Sequence, residues 1–260
     1  MTPFGIQIVL YLFLAGIAAG SGLLGSLAMA TGKAAPFAGG KRALSIAIAC
    51  ALIGAVFLIL DLTRPGDFLL ILTTANSRSS ISWGARILVV FILAAIFVRI
   101  SIRNWGQAEI ENGFKGNDFA GVWVLRLAAL GLAIYPAFVL RQGEAFSLWQ
   151  NPLLIPLIAV SAFHAGTAVM LVANNFSDDE RKARPTEVIL GTLQLLLLVV
   201  VLVQEGGSLL AWSTAMLLGT FVPLTLVILK PKSSLALRSL LILVGTFAIR
   251  YWLIAAGQTL

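Results

Sequence analysis

Apolar residues in this chain neither alternate nor fall on one stripe of an amphipathic pattern; they run on for about twenty positions at a time. Such runs lie near residues 6–30, 43–61, 81–100, 119–140, 152–173, 187–205, 209–229 and 236–256. At 1.5 Å per residue each is long enough to cross the hydrocarbon of a bilayer. In lipid a helix satisfies its own backbone polar groups, which an isolated strand cannot do. The pattern therefore predicts an all-α integral membrane protein of eight transmembrane helices. The first run has no Lys or Arg ahead of it and is too long for a signal-peptide core, so it reads as a retained helix.

Composition sharpens this. The chain has 260 residues, 59% hydrophobic and 11% charged. Eight spans use about 160 of them, so the loops are short and leave no room for a soluble catalytic domain. A single cysteine, Cys50, excludes a disulfide framework and also an iron–sulfur cluster held by this chain alone, since such clusters need about four ligands. A single histidine, His164, excludes a bis-histidine haem. Electrons handled here must arrive through a bound small molecule or a partner.

Lys and Arg of short loops stay on the cytoplasmic side. One side of the expected helix layout holds Lys33, Lys41, Arg42, Arg99, Arg103, Lys115, Arg181, Lys182, Arg184, Lys230, Lys232 and Arg238; the other holds Arg64, Arg78 and Arg141. Both termini are expected outside, in the inner membrane of a cell. The net charge of +7 is mostly this orientation signal rather than a nucleic-acid surface. The outward loop DLTRPGDFLLILTTANSRSS, from Asp61 to Ser80, has an apolar patch between polar flanks suited to covering a site or docking a partner. In the connection NNFSDDERKARPTE both signs are mixed, and Pro185 and Thr186 are expected to open the sixth helix.

The first helix carries Gly16, Gly20, Ser21, Gly22, Gly25 and Ser26. Gly16 and Gly20 form a small-xxx-small pair that admits either another helix or a flat ligand. An echo in SAFHAGTAVM suggests two related four-helix bundles, residues 1–140 and 141–260.

Polar side chains inside spans are costly and mark candidate sites. Counted from the helix ends, Gln7, Tyr11, Asp61, Arg64, Trp83, Arg86, Tyr135 and Arg250 fall in the outer third, His164 near mid-depth, and Arg126 and Gln194 towards the cytoplasmic half. Arg86 and Arg250 have Asp61, Asp67 or Glu205 as possible ion-pair partners, or snorkel outward; Trp83 and Trp149 suit an interfacial belt. The outward bias suits a quinone, a flat ring with two carbonyls that exchanges two electrons and two protons. Its site needs an apolar slot open to lipid, donors aimed at the carbonyls and a titratable group. Tyr135 and His164 are candidate donors, with an interfacial-belt tyrosine and a hydrogen-bonded core histidine as the alternatives; Asp61 is a candidate proton exchanger or, with Arg64 at i, i+3, half of a structural ion pair; and the Gly16–Gly20 face is a candidate for admitting the ring. His164, Arg126 and Gln194 are candidates for an inward proton path, with plain interhelical hydrogen bonding as the alternative. A passive anchor and an ion or solute transporter are the competing classes.

Four stretches, YLFLAGIAAGSGLLGS, LDLTRPGDFLLIL, NSRSSISWGARIL and LAIYPAFVLRQGEAFSLWQNPLLIPLIAVSAFHAGTAVML, resemble the NrfD/PsrC family, the membrane subunits of polysulfide, nitrite and tetrathionate enzymes. The likeness spans about the first 175 residues; the last three helices match in number and length. The resemblance implies an eight-helix, haemless, quinone-reactive anchor, with menaquinone or ubiquinone as its carrier. It implies a ferredoxin-like iron–sulfur subunit on the outer face and a molybdopterin catalytic subunit beyond it. Asp61 and Arg64 match the family's DLxRP, Trp83 and Gly84 its third-helix opening, and Tyr135 its fourth-helix tyrosine near the quinone. His164 stands where the family usually has a small residue. Gln7 and Tyr11 are first-helix quinone ligands by position only.

Overall fold

A computed structural model describes residues 5–31, 33–62, 66, 80–105, 109–110, 117–143, 147–173, 180–205, 217–229 and 235–257. Its helices are α1 (Ile6–Met29), α2 (Ala34–Asp61), α3 (Ser80–Ser101), α4 (Asn117–Arg141), α5 (Leu154–Ala173), α6 (Glu180–Glu205), α7 (Val222–Leu229) and α8 (Leu235–Gly257). A single helical turn, Ser147–Gln150, sits between α4 and α5, and a π-helical turn, Leu217–Phe221, leads into α7. All but α7 are long and apolar enough to cross a membrane, which makes seven such helices among the described residues. This is a multi-pass, all-α membrane protein.

The seventh expected span, 209–229, is described only from residue 217, and there it is a π-turn followed by eight helical residues. Two other boundaries also moved. Helix α6 begins at Glu180, so Pro185 lies inside it rather than opening it. Helix α2 begins at Ala34 instead of 43. A run of apolar residues marks where a helix meets lipid; the helix itself continues into the polar layer, where its backbone bonds still form.

Helix α1 is the hub. It packs along α2, α5, α4 and α8, while α3 leans on α4 and the π-turn on α8. The apolar windows of α1 and α5 are each 72% buried against 28% for α6, so α1 and α5 form the centre and α6 mostly faces lipid. Glycine makes the centre possible. A Cβ on Gly20 would overlap the Ala162 carbonyl, and one on Gly166 would overlap Gly20 itself, so α1 and α5 touch backbone to backbone. The boundary at residue 140 runs between α4 and α5, which pack on each other and share α1.

One end of the bundle gathers the start of α1, the end of α2 and the end of α8: Gly5 lies by Asp61, and α8 bonds to Leu12 through Arg250. We call it the terminus end, and the other the cation-rich end. Trp149, expected at an interface belt, is instead fully buried at the terminus end, its indole N–H donating to the Leu253 carbonyl at 2.8 Å. A belt position and a helix-joining position share the same hydropathy; only packing separates them.

Candidate functional site

Tyr135 sits on α4 immediately before Pro136, whose missing N–H leaves the Leu132 carbonyl without its helical donor. Across from it, α3 presents Gly84, where a Cβ would overlap the Tyr135 ring. The glycine thus admits the phenol between the two helices. Beside it lies a cavity of about 300 Å³ lined by Trp83, Ile87, Tyr135 and Phe138, at the lower end of the ~300–1,000 Å³ usual for small-molecule pockets. Tyr135 is 5% exposed, whereas Trp83 and Phe138 are about half exposed on the lipid-facing surface. The slot is therefore apolar, opens sideways toward lipid, and has a buried phenol on its wall. Arg86, one turn beyond Trp83, places its guanidinium carbon 5.6 Å from the Trp83 ring centroid, a cation–π contact.

Tyr11 of α1 backs Tyr135, with ring centroids 6.4 Å apart at 59°. It is fully buried, and its hydroxyl has no hydrogen-bond partner of good geometry among the described residues, though it points toward that of Tyr135. Gln7, one turn earlier, and Asp61, at the end of α2, are exposed at the terminus end. A Cβ on Gly5 would lie 2.6 Å from Gln7 Oε1 and 3.8 Å from Asp61 Oδ1. Asp61 thus ends beside the first turn of α1, which has no side-chain cap; a carboxylate there meets the positive end of the helix dipole. Arg64 lies outside the described residues.

Arg250 neither snorkels nor pairs with an acid among the described residues. It is buried, donating from Nε to the Leu12 carbonyl at 2.9 Å and from Nη1 to Ser161 Oγ at 2.8 Å. Gly16 makes room for that guanidinium, since a Cβ there would overlap Nη2. The Gly16–Gly20 face is accordingly filled by Arg250 and by α5, on protein rather than at the Tyr135 cavity. Deeper in, His164 Nδ1 meets Gln194 Oε1 at 3.0 Å, and Gln194 Nε2 donates to Thr220 Oγ1 in the π-turn at 2.8 Å. Arg126 is elsewhere: it donates to Ser26 Oγ and to the Ser26 carbonyl at 3.1 and 3.2 Å, with its guanidinium carbon 5.4 Å from the Trp123 ring centroid. At the cation-rich end Arg238 and Glu187 form a buried ion pair at 3.4 Å. Among the described residues no group of three or more His, Cys, Asp or Glu converges.

The family model described as "Polysulphide reductase, NrfD" matches residues 1–260. The chain belongs to this NrfD family. No curated protein matches it. The family match takes in the last three helices, beyond the first 175 residues on which the motif resemblance rests.

Within this NrfD chain the structure puts Trp83 and Tyr135 on one slot with Tyr11 behind Tyr135, and sets Gln7 of α1 and Asp61 of α2 at the terminus end. It joins His164 to Gln194 but holds Arg126 on α1, so those three do not form one path. Residue reasoning missed Ser161 and Thr220, which look like ordinary small positions, and counted Arg238 only among the cations of one side, whereas it is buried. One signal was available for Glu187: it lies seven residues before Gln194, on the same face of α6.

Proposed function

We infer that this chain is the membrane anchor and quinone-reactive subunit of a multi-subunit respiratory oxidoreductase. It exchanges electrons between a membrane quinone and an iron–sulfur partner. Its membership of the NrfD family supports the class. The observation that carries the site is the lipid-facing apolar slot with Tyr135 on its wall. A quinone ring fits such a lining: the walls desolvate the ring, and a phenol donates to a carbonyl oxygen without adding charge to the hydrocarbon. Tyr11, with its hydroxyl lacking a described partner, stands behind Tyr135 as a second polar contact. Asp61, exposed beside Gln7 at the terminus end, is the candidate titratable group there.

On the positive-inside count the terminus end is outside. The iron–sulfur subunit of ferredoxin type then docks there, near the loop that follows Asp61, with a molybdopterin subunit beyond it. The test is Tyr135→Phe and Asp61→Asn in the assembled complex. Loss of a positioned proton-transfer group lowers quinol-linked turnover by about 100-fold or more, and unaltered turnover in both variants rejects the slot. If purified complex binds no quinone on titration, the chain is a passive anchor. Solute flux through liposomes carrying this chain alone identifies a transporter.

A further inference from the structure

The side chains of α8 that face the interior include three buried polar groups left over by the rest of the fold. Ser239 Oγ, Thr246 Oγ1 and Arg250 Nη2 have no hydrogen-bond partner among the described residues, and all three residues are at least 97% buried. Their spacing of seven and four puts them on one face of the helix, over roughly 16 Å of its length. Buried polar atoms are normally satisfied by protein or by ordered water, and groups placed so on one face are where ordered water would find partners.

The hydrogen-bonded groups of the neighbouring helices fall on the same axis. At the cation-rich end stands Glu187, held by Arg238. About 10 Å further along the same face of α6 is Gln194, bridging His164 and Thr220. The backbones of Gly219 and Gly245 touch, which brings Thr220 and Thr246 to one level. One turn toward the terminus end, Ser161 receives Arg250, and Arg250 in turn holds the carbonyl of Leu12, next in sequence to Tyr11. The turn at 217–221 that carries Thr220 is π-helical, a local departure from α-geometry that is frequent at functional positions.

We propose that this column is a proton path joining the cation-rich face to the Tyr135 slot, with His164 Nε2 as the group that holds the proton midway. The inference rests on the quinone reading above. With the Gln194 amide directed as it is, Nδ1 carries a hydrogen and donates to Oε1, so Nε2 is the position that gains and loses a proton. The Nδ1 bond persists in both states, and the donation from Gln194 to Thr220 polarises it further. Each quinone that becomes a hydroquinone takes two electrons from the iron–sulfur partner and two protons; the reverse reaction releases both. Here the two protons travel along the column while the electrons cross at the terminus end, so turnover separates charge across the membrane.

The experiment uses the whole complex in sealed vesicles, with a pH dye on the cation-rich side and quinol-linked turnover followed in parallel. Wild type is expected to show a proton change on that side in step with electron transfer. His164→Gln and Thr246→Val are each expected to abolish most of the proton change on that side per electron transferred, whatever rate of electron transfer remains. If one variant does not assemble, the other decides. As a measure independent of turnover, Thr246→Cys in a Cys50→Ala background reacts with a small water-borne thiol reagent added from the cation-rich side. An unchanged ratio in the variants, a wild type whose proton change is confined to the terminus side, or an unreactive cysteine overturns the proposal. Loss of the ratio in His164→Gln with unaltered turnover in both Tyr135→Phe and Asp61→Asn would sink the slot and keep the column; the opposite set of results would do the reverse.

Discussion

Gly84 exists to let a phenol ring lie between two helices. Replacing it by Ala puts a Cβ into Tyr135, and overpacking of that kind costs about 1–3 kcal/mol. Gly84→Ala is expected to lower the thermal midpoint of the purified complex and to depress quinol-linked turnover, since the shifted ring narrows the slot. A variant with both quantities unchanged would show that Tyr135 does not need this space. Asp61, Tyr135 and Trp83 were legible in the sequence because an ionisable or amphipathic side chain at a helix end stands out against an apolar run. Arg250 was legible as an oddity only. Its acceptors are a backbone carbonyl, which every residue has, and a serine, which is common, so nothing in the sequence identifies Leu12 and Ser161 as its partners.

Among elements, close approaches are made at glycine pairs, Gly20 with Gly166, Gly25 with Gly40 and Gly219 with Gly245. Helix association in lipid depends on such packing because lipid tails supply no hydrophobic drive. Gly166→Leu is expected to push α5 away from α1 and to prevent recovery of folded protein. Gly131→Ala, whose Cβ would meet Ile87 Cγ2 at 3.3 Å, asks a smaller shift of a side chain and should cost far less; comparable thermal midpoints for the two variants would argue against backbone contact as the organising feature. The sequence marked α1 and α5 as rich in small residues, yet not that they face each other. The short α7 and its π-turn were invisible for another reason: hydropathy reports whether a segment prefers lipid and is blind to whether its hydrogen bonds skip three residues or four.

For the whole molecule, the ion pair of Glu187 and Arg238 is a test of how the cation-rich end is held. Removing one member of a buried pair leaves the other charge uncompensated, at about 3–5 kcal/mol, whereas an apolar pair of similar volume is often tolerated. Arg238→Met is therefore expected to lower the yield of folded protein, and Glu187→Leu with Arg238→Met to restore much of it; no recovery in the double variant would mean that the two residues act separately. Sidedness has its own measurement. A cysteine placed after Gly257 in a Cys50→Ala background should be labelled by an impermeant reagent from outside intact cells, and labelling only after lysis would reverse the orientation. What the sequence by itself determined is the solvent of each segment, because transfer into lipid is a property of about twenty residues taken together, and with it the all-α membrane class and the charge asymmetry of the two ends. Which polar side chains meet was decided by the tertiary structure alone. His164 with Gln194, Arg250 with Leu12 and the slot beside Tyr135 each join different helices, and no local preference of a helix in lipid encodes its rotation against a neighbour.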